Sequence, residues 1–256
     1  MELESSIDTD RFSAALRARV IDVKSRRLLI TNFHGSKQEQ DLTEPPNCNG
    51  FGRVRHFCLA GNSGWPQNPL PIEPARRALH MRSLDQLRAQ VFQISACNWR
   101  CWYCFVDRTL LSANLKHASL LAPSELVDLY LQEASRPQVI DLTGGQPDLA
   151  PEWILWMMQE LKFRGLENDT YIWSDDNLSI DYFWHFLTDK DREVICKYKN
   201  YGKVCCFKGF DAVSFAFNSS ALPECFCQAK TDPFDDRKCT HLRGLAGTLT
   251  TEKRPI

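Results

Sequence analysis

The chain has 256 residues, 43% of them hydrophobic, and 31 basic against 32 acidic side chains give a formal net charge of −1. That length and apolar content bury the core of one large domain or two small ones. The balanced charge excludes a global attraction to nucleic acid or to an anionic membrane.

The N-terminal stretch "MELESSIDTDRFSAALRARV" is acidic where a secretory signal is basic, and no run of about eighteen apolar residues occurs, so the expectation is a cytoplasmic protein with no membrane partner. In a reducing compartment its eleven cysteines stay free or bind metal rather than pair. "ARVIDVKSRRLLITNF" reads as a strand, a basic turn and a second strand. From 43 to 75 the chain is rich in Pro, Gly and Asn, which predicts irregular structure, and Phe51, Phe57, Trp65 and Leu70 make it an ordered covering loop. Residues 1–87 are thus expected as an N-terminal extension, mostly irregular with a short strand pair.

After Ala89 strands and helices alternate. "QVFQI" (90–94) reads as strand. "PSELVDLYLQEA" (123–134) sets Leu126, Val127, Tyr130, Leu131 and Ala134 on one helical face, and "QVIDLT" (138–143) is strand again. "PEWILWMMQELKFRG" opens with Pro151, turns Ile154, Met157, Met158 and Leu161 inward and stops at Gly165. "TYIWS" (170–174) is strand, "LSIDYFWHFL" a helix capped by Ser179, and "DAVSFAF" (211–217) a fourth strand. Such alternation argues for an α/β fold with a parallel sheet, open or closed into a barrel, and an active site at the carboxyl ends of its strands. No internal repeat or low-complexity tract occurs.

Immediately after the first of these strands, "SACNWRCWYCFVD" (95–107) packs Cys97, Cys101 and Cys104 among aromatic residues. Structural zinc takes four ligands, and a second CxxC pair is absent, although His117, Cys205 or Cys206 could supply a fourth. A [4Fe–4S] cube held by three thiolates leaves one iron open to a ligand. The Cys-x3-Cys-x2-Cys spacing, with Tyr103 before the last cysteine, resembles the cluster loop of the radical S-adenosylmethionine (radical SAM) superfamily. At the end of the second strand "DLTGGQPDL" is similar to that superfamily's Gly-Gly-Glu-Pro segment, with Gln146 in place of glutamate. Gly144 and Gly145 permit close backbone approach to a ligand, and an amide oxygen at Gln146 still accepts from an ammonium, without charge assistance.

The resemblance covers roughly 90–220 and implies a partial parallel (β/α) barrel over 88–220. It implies a [4Fe–4S] cluster on Cys97, Cys101 and Cys104, and S-adenosylmethionine against Tyr103, Gly144, Gly145, Gln146 and Pro147. Ser174, Asp175 and Asn218, at the ends of the third and fourth strands, would touch its ribose or carboxylate; Ser, Asp and Asn at such places are also ordinary turn residues. The implied chemistry is reductive cleavage to methionine and a 5'-deoxyadenosyl radical that takes hydrogen from a substrate, be it peptide, protein or small molecule, with an electron donor as partner. Trp99, Trp102 and Phe105 would surround the cluster with apolar surface.

The other cysteines, among them Cys48, Cys58, Cys225, Cys227 and Cys239, match no second cluster spacing. Arg53, Arg55, His56, Arg76, Arg77, Arg82 and Arg88 read as a solvated face, or as a site for an acidic substrate. The superfamily's barrel has six strand–helix units and four strands are counted here; a chain truncated or frameshifted near Ala221 is the favoured expectation, beside a reduced barrel or a sheet completed by a partner chain, with 221–256 an atypical tail. Two other readings stay open: a zinc-stabilised interaction module, and an inactive truncated homologue.

Overall fold

A computed structural model describes residues 6–58, 72–81 and 86–226. In chain order the elements are α1 (Thr9–Val20), β1 (Ile21–Asp22), β2 (Arg27–Thr31), β3 (Gly52–Cys58), α2 (Ile72–Ala78), β4 (Gln86–Gln93), β5 (Ala118–Leu121), α3 (Pro123–Gln132), β6 (Val139–Thr143), α4 (Glu152–Phe163), β7 (Tyr171–Asp176), α5 (Tyr182–Phe186), α6 (Asp189–Lys197), β8 (Tyr201–Cys205) and α7 (Ala212–Ser219). Among the described residues no helix is long and apolar enough to cross a membrane.

The main sheet has the order β3-β4-β6-β7-β8. β3 runs antiparallel to β4, and β4, β6, β7 and β8 are mutually parallel. The parallel strands follow one another in sequence order, without the reversal that marks a doubly wound sheet. The architecture is α/β with a mixed, open sheet, and no closed barrel among the described residues. A second sheet, β1-β2-β5, is antiparallel throughout. Its β1–β2 hairpin is the strand–turn–strand expected from the sequence, but the stretch before it is α1, capped by Asp8 accepting from the Arg11 amide. The segment expected to be mostly irregular also supplies β3, a full edge of the main sheet; residues 59–71, within the proline-rich stretch, lie outside the described residues.

Period-2 alternation sorts the parallel strands into two faces. Phe92, Ile94, Ile140, Leu142 and Ile172 pack on one face against α1, α3, α4 and α6. There Trp153, Ile154, Met157, Met158 and Leu161 of α4 are all but inaccessible, the expected inward face of this helix. Each such side chain stabilises the fold by roughly 1.5–3 kcal/mol. On the other face Leu87, Ala89, Val139, Tyr171 and Trp173 pack with Phe57 and with Ile72 and Ala75 of α2.

Two sequence expectations are corrected. The fourth parallel strand is β8, not "DAVSFAF", which forms α7: Asp211 accepts from the Ser214 amide and nucleates a helix, leaving Val213 and Phe217 exposed. Capping chemistry overrides an alternating pattern there. The helix after β7 starts at Tyr182 behind Asp181, and Ser179 is not its cap. The tail beyond 226, with Cys227 and Cys239, lies outside the described residues.

On the helix-packed face the Lys203 ammonium meets Asp148 at 2.5 Å and Asp176 at 3.2 Å, with all three side chains nearly inaccessible. Burial and the Asp176 charge push Asp148 up to about 7, while Lys203 holds Asp176 below the usual carboxylate range against its burial. Removing the one cation leaves two buried carboxylates uncompensated. Lys203→Met is expected to lower unfolding stability by about 3–5 kcal/mol in urea titration.

Candidate functional site

The two antiparallel and parallel registers bring a polar row onto the α2 side of the sheet. Arg53 pairs with Val91, Val91 with Asp141, and Asp141 with Trp173; paired residues share a face. Gln93 and Thr143 form the next row toward the strand ends, and Arg55 stands one row below Arg53. The apolar half of this face lies beneath α2, so the polar half is what the carboxyl ends present.

Asp141 is 0% exposed and accepts from Arg55 Nη1 at 3.0 Å. Burial, and then the neighbouring Asp175 charge, push it up to about 8 against the pull of Arg55 and Arg53. Asp175 is itself raised by burial, opposed by the hydroxyl of Thr143, which donates to it. Arg53 is 5% exposed, lies under the rings of Phe105 (5.5 Å) and Phe33 (5.9 Å), and is lowered to about 10 by burial and by Arg55. Nε and Nη2 of Arg53, Oδ1 of Asp141 and Oε1 of Gln93 are buried without a hydrogen-bond partner. The Trp173 indole lies near enough to lower Asp141, but does not reach Oδ1 in hydrogen-bonding geometry.

Above this face runs the loop from 94 to 117, far longer than the usual strand–helix connection. The Gly144–Gly145 segment docks onto its start. The Gln146 amide donates to the Ala96 carbonyl at 2.8 Å, and a Cβ on Gly145 would stand 2.2 Å from that oxygen and 2.7 Å from the Ile94 oxygen. Gly144 has φ +84° and leaves the space of its missing Cβ to the Gln93 amide. Farther along, Asn98 donates to Ser13 and Ser179 and accepts from Asn177, while the Trp99 indole donates to Thr9. The Arg100 amide donates to Ser219, and Ser220 Oγ to the Arg100 carbonyl. The loop is thereby tied to α1, to the end of β7 and to α7.

Two of its thiols, Cys97 and Cys101, sense a common cation. Burial pushes Cys97 up to about 11 and raises Cys101; each is raised further by its thiol neighbours and pulled down by Lys208. Lys208 follows β8, with its ammonium 5.7 Å from the Tyr103 ring centre. Burial opposes its charge, but Cys206, Cys101, Tyr103 and Cys97 more than offset that and raise its pKa. Burial raises the Tyr103 phenol, which Lys208 pulls down and Cys101 pushes up. In this conformation no three His, Cys, Asp or Glu side chains among the described residues stand close enough together to hold a metal ion. The donor types nevertheless fit a thiophilic metal centre: three thiols on one loop beside a fixed positive charge.

The other residues expected at a cofactor divide by face. Asp175 and the glycine pair border the polar face, and Tyr103 lies over the thiols. Gln146, expected to hold an ammonium, is fully buried and spent within the protein: Nε2 donates to Asp176, and Oε1 accepts from the Asn177 amide. Pro147 is buried beside it at the start of a short turn. Ser174 points to the helix-packed face, where its hydroxyl bonds that of Tyr201 at 2.8 Å, because it alternates with Trp173 and Asp175. Asn218, expected at a strand end, sits in α7. It accepts from the Trp102 indole and donates to the Lys208 carbonyl, so it braces two site residues. Trp99 is core, against Phe215, whereas Trp102 and Phe105 are exposed.

Sequence reasoning missed Lys208 and Asp141 at the site, named Cys206 only as a possible zinc ligand, and read Arg53 and Arg55 as a solvated face or an acidic-substrate site; they lie on β3 and turn inward. The one signal for Asp141 was a lone charge inside the apolar run "VIDLT". Comparisons of the chain with protein-family models, with curated proteins and with solved structures return no match.

Two outcomes follow from this geometry. A raised carboxylate favours the folded state less as pH climbs from the unfolded pKa, near 4, to the folded one, about 8. Asp141→Asn, neutral throughout, is therefore expected to gain stability relative to wild type between pH 5 and 8, by at most about 1.4 kcal/mol per pH unit, as read from thermal melts across that range. Gly145→Ala is expected to cost about 1–3 kcal/mol by overpacking against the Ala96 carbonyl, measured by urea unfolding.

Proposed function

We propose that the chain is a radical SAM enzyme: Cys97, Cys101 and Cys104 hold a [4Fe–4S] cluster, and S-adenosylmethionine binds between the thiol loop and the Gly144–Gly145 segment. The observation that carries this reading is the junction of the two motifs. They lie at the ends of the adjacent parallel strands β4 and β6, in a backbone contact that only glycine at 145 allows. When bound, the cluster supplies the electron that cleaves the sulfonium and releases a 5'-deoxyadenosyl radical for hydrogen abstraction. The chain's own residues do the rest. Gly144 and Gly145 offer main-chain groups to the cofactor, Lys208 offsets negative charge at the thiols, and Phe105 with Tyr103 shields the space between loop and sheet from water. Gln146, Ser174 and Asn218 serve as scaffold in this reading, and Asp175 is the acid left to meet a ribose or an amine. The substrate is a peptide, protein or small molecule, and an external donor reduces the cluster.

One observation favours a second reading. Cys206 lies near enough to Cys101 and Lys208 to interact with both, and a fourth thiol would close a zinc tetrahedron and make the loop a structural staple.

Anaerobic reconstitution separates the two. The expected product is brown, with about four iron and four sulfide per chain. Iron falls sharply in each of Cys97→Ala, Cys101→Ala and Cys104→Ala and persists in Cys206→Ser. Addition of dithionite and S-adenosylmethionine should then yield 5'-deoxyadenosine. A colourless, zinc-loaded protein that loses its metal in Cys206→Ser, or a full cluster that yields no 5'-deoxyadenosine, overturns the proposal.

A further inference from the structure

Four buried polar atoms on the α2 side of the sheet have no partner inside the protein, and they are of two kinds. Arg53 presents donors, Nε and Nη2; Asp141 Oδ1 and Gln93 Oε1 are acceptors. Arg53 is 5% exposed, and Asp141 and Gln93 are 0% exposed. Buried guanidinium and carboxylate groups in one row of a sheet ordinarily pair with each other. Here Asp141 spends Oδ2 on Arg55, and no hydrogen bond joins Arg53 to Asp141. One strand, β4, separates them, and it contributes the aliphatic Val91 to that row. With strands about 4.8 Å apart, Arg53 and Asp141 stand on either side of Val91 on the same face. Gln93 stands one step nearer the thiol loop, held by its Nε2 donating to Thr31 and by the vacant side of Gly144, so its oxygen is fixed.

We infer that this face binds a small free α-amino acid, its carboxylate accepting from Arg53 Nε and Nη2 and its ammonium donating to Asp141 Oδ1 and Gln93 Oε1. A zwitterion is the compact ligand that satisfies both kinds of orphan at once. A phosphate or simple carboxylate would answer Arg53 and leave two acceptors facing an anion, and a plain amine would leave Arg53 bare. Bidentate Arg–carboxylate pairing suits the Nε and Nη2 edge, the planar side of the guanidinium fork. The site lies beneath Phe105, the residue after Cys104, which stacks over Arg53, so a ligand here sits directly below the loop that carries the thiols. The assignment goes beyond the radical SAM reading and does not depend on it, since none of the three residues is a thiol and binding needs no iron.

The same two groups occur at the amino-acid end of S-adenosylmethionine, and the experiment separates these sources. The metal-free full chain is titrated with each proteinogenic amino acid up to about 10 mM, and separately with S-adenosylmethionine, by calorimetry and saturation-transfer NMR. At least one free amino acid is expected to bind. Its N-acetyl and α-carboxamide derivatives, and the Arg53→Gln and Asp141→Asn variants, should each weaken that binding about thirtyfold or more. The triple variant Cys97→Ala, Cys101→Ala, Cys104→Ala should bind it as wild type does while failing to take up iron, so this inference and the cluster reading can fail separately. Binding of no free amino acid overturns the inference, including the case in which S-adenosylmethionine alone binds. So does equal binding of the blocked derivatives. If Arg53→Gln proves unfolded by circular dichroism, the blocked derivatives on the wild-type chain decide.

Discussion

The upper half of the molecule depends on one backbone-to-backbone approach, that of Gly145 to the Ala96 carbonyl. β4 and β6 are parallel neighbours, so the chain leaves both in the same direction and the two exits must pass each other. They do so with the Gln146 amide donating to the Ala96 oxygen and no room for a side chain at 145. Everything that follows on each chain is positioned by that crossing: Cys97 is the next residue after Ala96, and Gln146 is the next after Gly145. From there Gln146 reaches Asp176 and the Asn177 amide, Asn177 reaches Asn98, and Asn98 returns to the thiol loop. A closed ring of hydrogen bonds thus joins three strand ends through fully buried side chains. Buried networks of this kind specify one geometry because any partial rearrangement strands a polar group away from water.

The alternation of β7 divides structural from available polar chemistry. Ser174, Asp175 and Asp176 are consecutive, and their side chains go to opposite faces in turn. On the helix-packed face Ser174 and Asp176 are matched by Tyr201, Lys203 and Gln146. Across the sheet, Asp175 accepts from the Thr143 hydroxyl, and its neighbours Asp141, Arg53 and Gln93 keep unpartnered atoms. The same chain segment therefore stabilises the core with one set of charges and holds another set in a strained electrostatic balance, with Asp141 well above and Arg53 below their ordinary pKa values. Folding supplies the geometry that keeps these charges apart, and their unmet hydrogen-bonding capacity is a cost that a ligand relieves.

Short-range signals made much of this legible. β4 alternates polar and apolar residues, β6 and the start of β7 are largely apolar runs, α3 and α4 have clear helical faces, and the cysteine and glycine motifs are defined by spacing within a few residues. The failures share a cause. β8, "YGKVC", contains a glycine and a lysine and reads as a poor strand until Asp148 and Asp176 neutralise Lys203 from distant positions. α7 looked like a strand because Val213, Phe215 and Phe217 alternate; only Phe215 is buried, and the Asp211 cap decided the outcome. α6 is a charged helix whose only buried side chain is Ile195. Arg53 and Asp141 became site residues through strand register, and Lys208 through the turn after β8, neither of which a local pattern encodes.

Lys208 bears on how the thiol loop and the polar face act as one region. Its ammonium interacts with Cys97, Cys101 and Cys206 on one side and with Asp175 on the other. The lysine is half-buried, so its field is screened on one side only. A cation in that place stabilises negative charge on the sulfurs and on the carboxylate together, and it is held there by Asn218, which donates to its carbonyl, and by Tyr103 beneath the ammonium. Asn218 also accepts from Trp102, two residues before Cys104, so α7 fixes the cation and the loop with a single side chain. Asp175 is drawn down by Arg55, Lys208 and Arg53 together. Cations from the thiol loop's side and from β3 thus act on one shared carboxylate, an arrangement that favours ligands carrying both signs of charge.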